Sequence, residues 1–331
     1  MTSAVRAVRP SLARAEVRRF TNRRFIRVLL ALALVGYVLV VGIAAATEFG
    51  NPGPQELEQA QAERARSFAE SEVFRQQCLD DPGRPADLPV EEYCGPPNTV
   101  DSIPIEFFLD KTPFVLADRI LPGATAVAAA TAAVAFLIGA TYVGAEWSSR
   151  SMVALLFWEP RRTRVMVVKV GVLVGACAVM SVVAQLLWAG TATLLASTLG
   201  ETGPRPDSLI GDVLALQARG AVLVVLAGLL GFAISNLARG TGAALGVGFV
   251  YFAVVETAVR VVRPRLQEYL LTDSAAGLMT EGGHKIFLFQ EQTGTQTEIV
   301  VSNLQGGLVL GLAATALIAV GTLLFVRRDL H

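Results

Sequence analysis

Six blocks of the chain contain no Asp, Glu, Lys or Arg and are densely apolar: residues 28–47, 120–145, 170–200, 220–238, 240–255 and 299–326. A helix needs roughly 20 apolar residues to cross the hydrocarbon core of a bilayer. The blocks therefore predict an all-α membrane protein with six transmembrane helices. The fifth block is the shortest and is closed by Glu256. The third is long enough to break or protrude, with Gly190 the natural place for a break.

Shorter patterns fill the gaps. Residues 11–27 place Ala13, Val17 and Phe20 at i, i+4 and i+7 with Arg on most other faces. That period predicts an N-terminal interfacial helix, apolar face in the membrane and Arg heads near anionic lipid. The alternative is a positive flank that only sets topology. Segment 48–119 is a long loop. Within it, 55–77 is rich in Glu, Gln, Ala and Arg and reads as a helix, and Pro82, Pro85, Pro89, Pro96 and Pro97 make an irregular stretch. Phe107, Phe108 and Phe114 mark a part that can lie on the membrane. In segment 260–298, residues 286–289 are apolar enough to dip into one leaflet, and re-entrant helices are one of the forms open to it. Small-xxx-small pairs at Gly171/Gly175, Gly242/Gly246 and Gly307/Gly311 permit close helix approach.

Composition agrees with the blocks: 53% of the 331 residues are hydrophobic and 17% charged, too apolar for an ordinary soluble domain. The net charge of zero hides an asymmetry. With six spans, residues 1–27, the 146–169 loop, Arg239 and the tail share one side, which holds 16 basic residues against four acids. Positive loops stay cytoplasmic, so both termini are expected in the cytoplasm, in the plasma membrane. Ala44-Ala45-Ala46 resembles a signal-peptidase site, but a 27-residue basic region before a 20-residue apolar run suits an anchor better. Cys177 falls within the third span as a packing residue. Cys78 and Cys94 fall in the outer loop, where they can form a disulfide or remain as buried thiols.

Candidate chemistry is sparse. There is no G-x-x-x-x-G-K-[ST], H-E-x-x-H, C-x-x-C or G-x-S-x-G, and the only histidines are His284 and His331. No catalytic residue, metal site or cofactor in this chain is expected, and no nucleic-acid partner. Glu256 is the one acid well inside a span, with Arg260 at i+4. An intramembrane carboxylate is a functional candidate, and an intramembrane ion pair with Arg260 is the structural alternative. Segment 146–164 is short, amphipathic and Arg-rich. Ser148 or Ser149 can cap a helix, Met152, Leu155 and Leu156 recur at helical spacing, and Pro160 stops it. Arg161, Arg162 and Arg164 follow before Lys169. Such a segment is either a basic anchor or a helix that docks a cytosolic partner.

Glu146, the paired Leu155 and Leu156, Pro160, Arg162 or Arg164, and Lys169 together resemble a motif of the permease subunits of type-2 ATP-binding-cassette exporters. That motif is an acid closing the second span, a short helix with paired leucines, then Pro, Arg and a Lys opening the third span. Arg150-Ser151 stands where that family usually has Gly-Thr. The resemblance covers the membrane part and not the long first outer loop. It implies a cytoplasmic interfacial helix (1–27) and a six-span permease domain (28–331) with extracellular loop 48–119 and a cytoplasmic coupling loop, 146–169. It further implies that Glu146, Arg150, Met152, Leu155 and Arg162 rest on a separate P-loop ATPase subunit, which holds the ATP and Mg, and that two permease chains assemble, as a homodimer. The function implied is export of an amphipathic substrate. The alternative is a membrane scaffold or sensor whose outer loop binds a partner.

Overall fold

A computed structural model describes residues 12–83, 89–149, 151–204, 207–290 and 295–327. Six of its helical segments are long and apolar enough to cross a membrane, and the chain is an all-α membrane protein in its main architecture. These residues divide into two compact units, one falling within Met1–Tyr37, Ile120–Thr191 and Arg205–His331, the other within Val38–Arg119 and Ala192–Pro204.

The first unit opens with α1 (Leu12–Asn22), and α2 (Arg24–Thr47) starts within it as the first span. The second and third spans are α5 (Leu116–Ser148) and α7 (Arg162–Leu199), with the short α6 (Ser151–Trp158) between them. The fourth is α8 (Leu209–Ala238). The fifth is composite, from α9 (Thr241–Val250), a π-helical segment (Tyr251–Val255) and α10 (Glu256–Val262). The sixth is α12 (Asn303–Arg327). The third span is unbroken: α7 continues through Gly190 for 38 residues, about 57 Å at 1.5 Å per residue. One glycine costs a helix only about 1 kcal/mol, and no other breaker accompanies it.

Backbone contact between α5 and α8 organises the core of this unit. A Cβ at Gly139 would lie 2.0 Å from the Gly228 carbonyl oxygen, and one at Gly231 2.1 Å from that of Phe136. Only glycine permits that approach. The pairs singled out by spacing behave differently. Gly171, Gly175, Gly242, Gly246 and Gly311 have nothing within 4 Å of a Cβ position, and Gly307 meets only Leu278, at 3.6 Å. Trp188 of α7 packs on Gly123 of α5 and donates its indole N–H to the Ile120 carbonyl at 2.9 Å. Gln185, a turn earlier, donates to the Ala124 carbonyl at 3.0 Å.

Between the last two spans lie a 3-10 turn (Pro264–Tyr269), α11 (Leu271–Met279) and an antiparallel hairpin, β3 (His284–Gln290) on β4 (Thr295–Val301). Residues 286–289 thus belong to a strand. Ile286 and Val301 are buried, Phe287 is exposed, and Lys285 pairs with Glu298 at 2.9 Å.

In the second unit, α3 (Pro54–Leu79) occupies the stretch expected to be helical, with Pro54 at its first turn. It is followed by α4 (Val90–Tyr93), short 3-10 turns and a two-residue parallel pair, β1 (Phe114–Val115) with β2 (Gly200–Glu201). Cys78, at the end of α3, is joined to Cys94 by a disulfide. Arg75 donates to the Gly95 carbonyl at 2.6 Å beside it.

Candidate functional site

Helix α1 turns inward a face that shares only Phe20 with its apolar stripe. Glu16 and Phe20 are buried, whereas Val17 is 47% exposed and Ala13 is exposed. Phe20 packs edge-on against Tyr142 of α5, ring centroids 5.1 Å apart. Glu16, at i−4 from Phe20, reaches the same helix: its Oε2 accepts from the Tyr142 hydroxyl at 2.9 Å and from Lys169 Nζ of α7 at 2.8 Å. One turn beyond Tyr142, Glu146 is also buried and lies 2.8 Å from the same ammonium. Lys169 is fully buried and sits 4.9 Å from the Tyr142 ring centroid.

Arg23, between α1 and α2, closes the cluster. Its guanidinium donates to the Tyr142 carbonyl at 2.6 Å and the Thr141 carbonyl at 3.2 Å, forms an ion pair with Glu146, and lies over the Tyr142 ring. Two carboxylates and two cations thus hold three helices together. Burial alone would push the Glu16 carboxyl up. The charge and hydrogen bond of Lys169, the Tyr142 hydroxyl and Arg19 outweigh it, and hold the group below its usual 4.5.

Helix α6 adjoins this cluster. Ser148 and Ser149 do not cap it: their hydroxyls donate back to the carbonyls of Gly144 and Ala145, at 3.0 and 2.8 Å, and so finish α5. Met152 and Leu155 are buried, and Phe157 is 85% exposed. Arg150 lies outside the described residues. Pro160 follows the helix, and Arg162 opens α7. Arg162 donates to the Phe325 and Val326 carbonyls at 2.9 and 3.2 Å, a cation on the C-terminal end of α12. On α5, Trp147 donates to Asn236 at 3.2 Å and carries Arg239 over its ring. The end of α8 is thereby fixed to the end of α5, and the end of α12 to the start of α7. Between α1 and α6 an open groove of about 410 Å³ is lined by Arg19, Asn22, Arg23, Glu146, Ser151, Ala154 and Leu155.

Of the residues singled out in the sequence, Glu146, Met152 and Leu155 come together here, with Arg162 committed to α12. Lys169 entered as one element of a motif, and its burial was not legible. Glu16 was missed as a site residue. Its signal was present, a single acid between Arg6 and Arg27 in a stretch otherwise basic.

A second polar cluster surrounds Glu256. Arg260 is 3.6 Å from it, but lies closer to Asp273, at 2.8 Å, and to the Thr272 hydroxyl, at 2.7 Å. The nearer partners of Glu256 are on α11: it accepts the Thr272 N–H at 3.2 Å and also the Thr272 hydroxyl. The Tyr251 hydroxyl accepts the neighbouring Leu271 N–H at 3.2 Å. In an α-helix, residues five apart point about 140° away from each other. The π segment, with the Glu256 N–H bonded to the Tyr251 carbonyl, brings both onto one face. Glu256 is therefore a carboxylate set on the N-terminus of α11, where the helix dipole favours it. Among the described residues, no group of three or more His, Cys, Asp or Glu is arranged to hold a metal ion.

Family models of known proteins do not match this chain, and no curated protein matches it.

Proposed function

We propose that this chain is the membrane-spanning subunit of an ATP-driven exporter of the type-2 class, working as a dimer with a separate P-loop ATPase. The observation that carries the reading is Lys169, shared between Glu16 and Glu146. It ties α1, the end of α5 and the start of α7 into one body around α6, and Arg162 adds the end of α12. A push on α6 and α1 then reaches the second, third and sixth spans at once. Rigid-body tilting of spans is what alternating access requires. On this reading both termini are cytoplasmic, α6 is the coupling helix with Phe157 at its contact face, and the disulfide-bearing unit is extracellular.

That unit supports the rival reading, a scaffold or sensor, because it is compact and internally bridged. Gentle purification of the chain discriminates the two. The exporter reading expects a chain carrying a G-x-x-x-x-G-K-[ST] motif to come with it, identified by mass, and to be lost in Phe157→Asp. Absence of any such chain under conditions that keep known complexes intact overturns the exporter and leaves the scaffold.

A further inference from the structure

The groove between α1 and α6 lies where two spanning helices begin and end: α2 starts at Arg24, next to Arg23, and α5 stops at Ser148, just past Glu146. It is therefore at the membrane boundary. The charges around it do not balance. Two carboxylates, Glu16 and Glu146, face three cations, Lys169, Arg23 and Arg19. Three more cations, Arg18, Arg24 and Arg27, flank them in sequence, and residues 17–47 hold no acid. Arg19 is half exposed, and Glu16 takes one N–H of its guanidinium fork, which carries five. Asn22 and Ser151 add neutral hydrogen-bonding groups to the lining, and Ala154 and Leu155 an apolar part.

We propose that this groove binds the headgroup of one anionic phospholipid, with Arg19 holding the phosphate and Asn22 and Ser151 completing its hydrogen bonds. A guanidinium is suited to that, because it meets phosphate oxygens through two parallel N–H bonds. A lipid, not a free anion, is the occupant: α2 leads away from the groove with Phe25, Val28 and Leu32 exposed, a surface that acyl chains cover. The proposal does not depend on the exporter reading, and its test needs no ATPase.

Native mass spectrometry of the full chain in detergent, with phosphatidylglycerol or phosphatidylcholine added, reads the site directly. One phosphatidylglycerol is expected to remain bound where phosphatidylcholine does not. Arg19→Gln and Asn22→Ala should each reduce the bound fraction at least about five-fold, through the loss of a hydrogen bond to a charged group. Arg164→Gln removes the same charge from an exposed residue paired with Glu159, outside the groove lining, and should leave binding unchanged. Asn22 is exposed on the surface, so its variant decides the matter if Arg19→Gln disturbs folding. Equal retention of the two lipids, retention of neither, or equal loss in Arg164→Gln overturns the proposal. Displacement of the lipid by millimolar inorganic phosphate does so too, and assigns the groove to a free anion.

Discussion

Lys169 is fully buried with a carboxylate 2.8 Å away on each side, one on α1 and one on α5. Removing one partner from a buried ion cluster costs about 3–5 kcal/mol, because the remaining charges lose compensation without regaining water. Lys169→Met should therefore lower thermal stability of the detergent-solubilised chain by that order. Adding Glu16→Gln to it should restore part of the loss, since one stranded charge is then gone. A cycle in which the two changes simply add would mean that they do not share a site. The lowered pKa of Glu16 fixes the pH response. Its contribution is complete above the ordinary value of 4.5 and disappears as pH falls through the lower folded-state value. Hydrogen exchange along α1, corrected for intrinsic rates, is expected to stay slow from pH 7 down to about 4.5 and to quicken below it. At this scale the sequence was least informative. A periodic reading ranks Glu16 as polar and turns it outward. Only partners 126 and 153 residues away, Tyr142 and Lys169, reverse that.

Elements were more legible. Uncharged runs of span length have few alternatives to a transmembrane helix, so all six spans could be placed, and the Glu/Gln/Ala/Arg composition of 55–77 marked α3. The hairpin escaped because Ile286, Phe287, Leu288 and Phe289 are apolar at every position, which erases the period-two signal of a strand. Its alternation shows only in burial, Ile286 inside and Phe287 outside. Spacing also failed to find the close helix contacts, since Gly139, Gly228 and Gly231 matter through what stands opposite them. Glu256 belongs to this scale as well. Its carboxylate holds the first turn of α11, so Glu256→Gln should cost about 1–2 kcal/mol, the upper range for a charge at a helix terminus. The amide of Thr272 should then exchange roughly ten-fold faster, while those of α8 keep their rates. Unchanged exchange at that amide would remove Glu256 from this role.

At the scale of the whole molecule, the two units are held by different means. The first relies on glycine-mediated helix contact and buried charge, the second on a short helical and irregular segment closed by Cys78–Cys94. Alkylation of the unfolded chain without reductant should label one thiol, Cys177, and reduction should raise the count to three. Three labels before reduction would show an open loop.

The cluster that joins Glu16 to Lys169 spans 153 residues of sequence. A ribosome adding about 5–20 residues per second takes roughly 8–30 s to cover that distance. Helix α1 is thus made long before its counter-charge exists. Through that interval Glu16 has its neighbour Arg19 and, once α5 is made, the Tyr142 hydroxyl, but not the buried ammonium. The amino-terminal helix, although synthesised first, thus gains its full charge compensation only when the third span is in place.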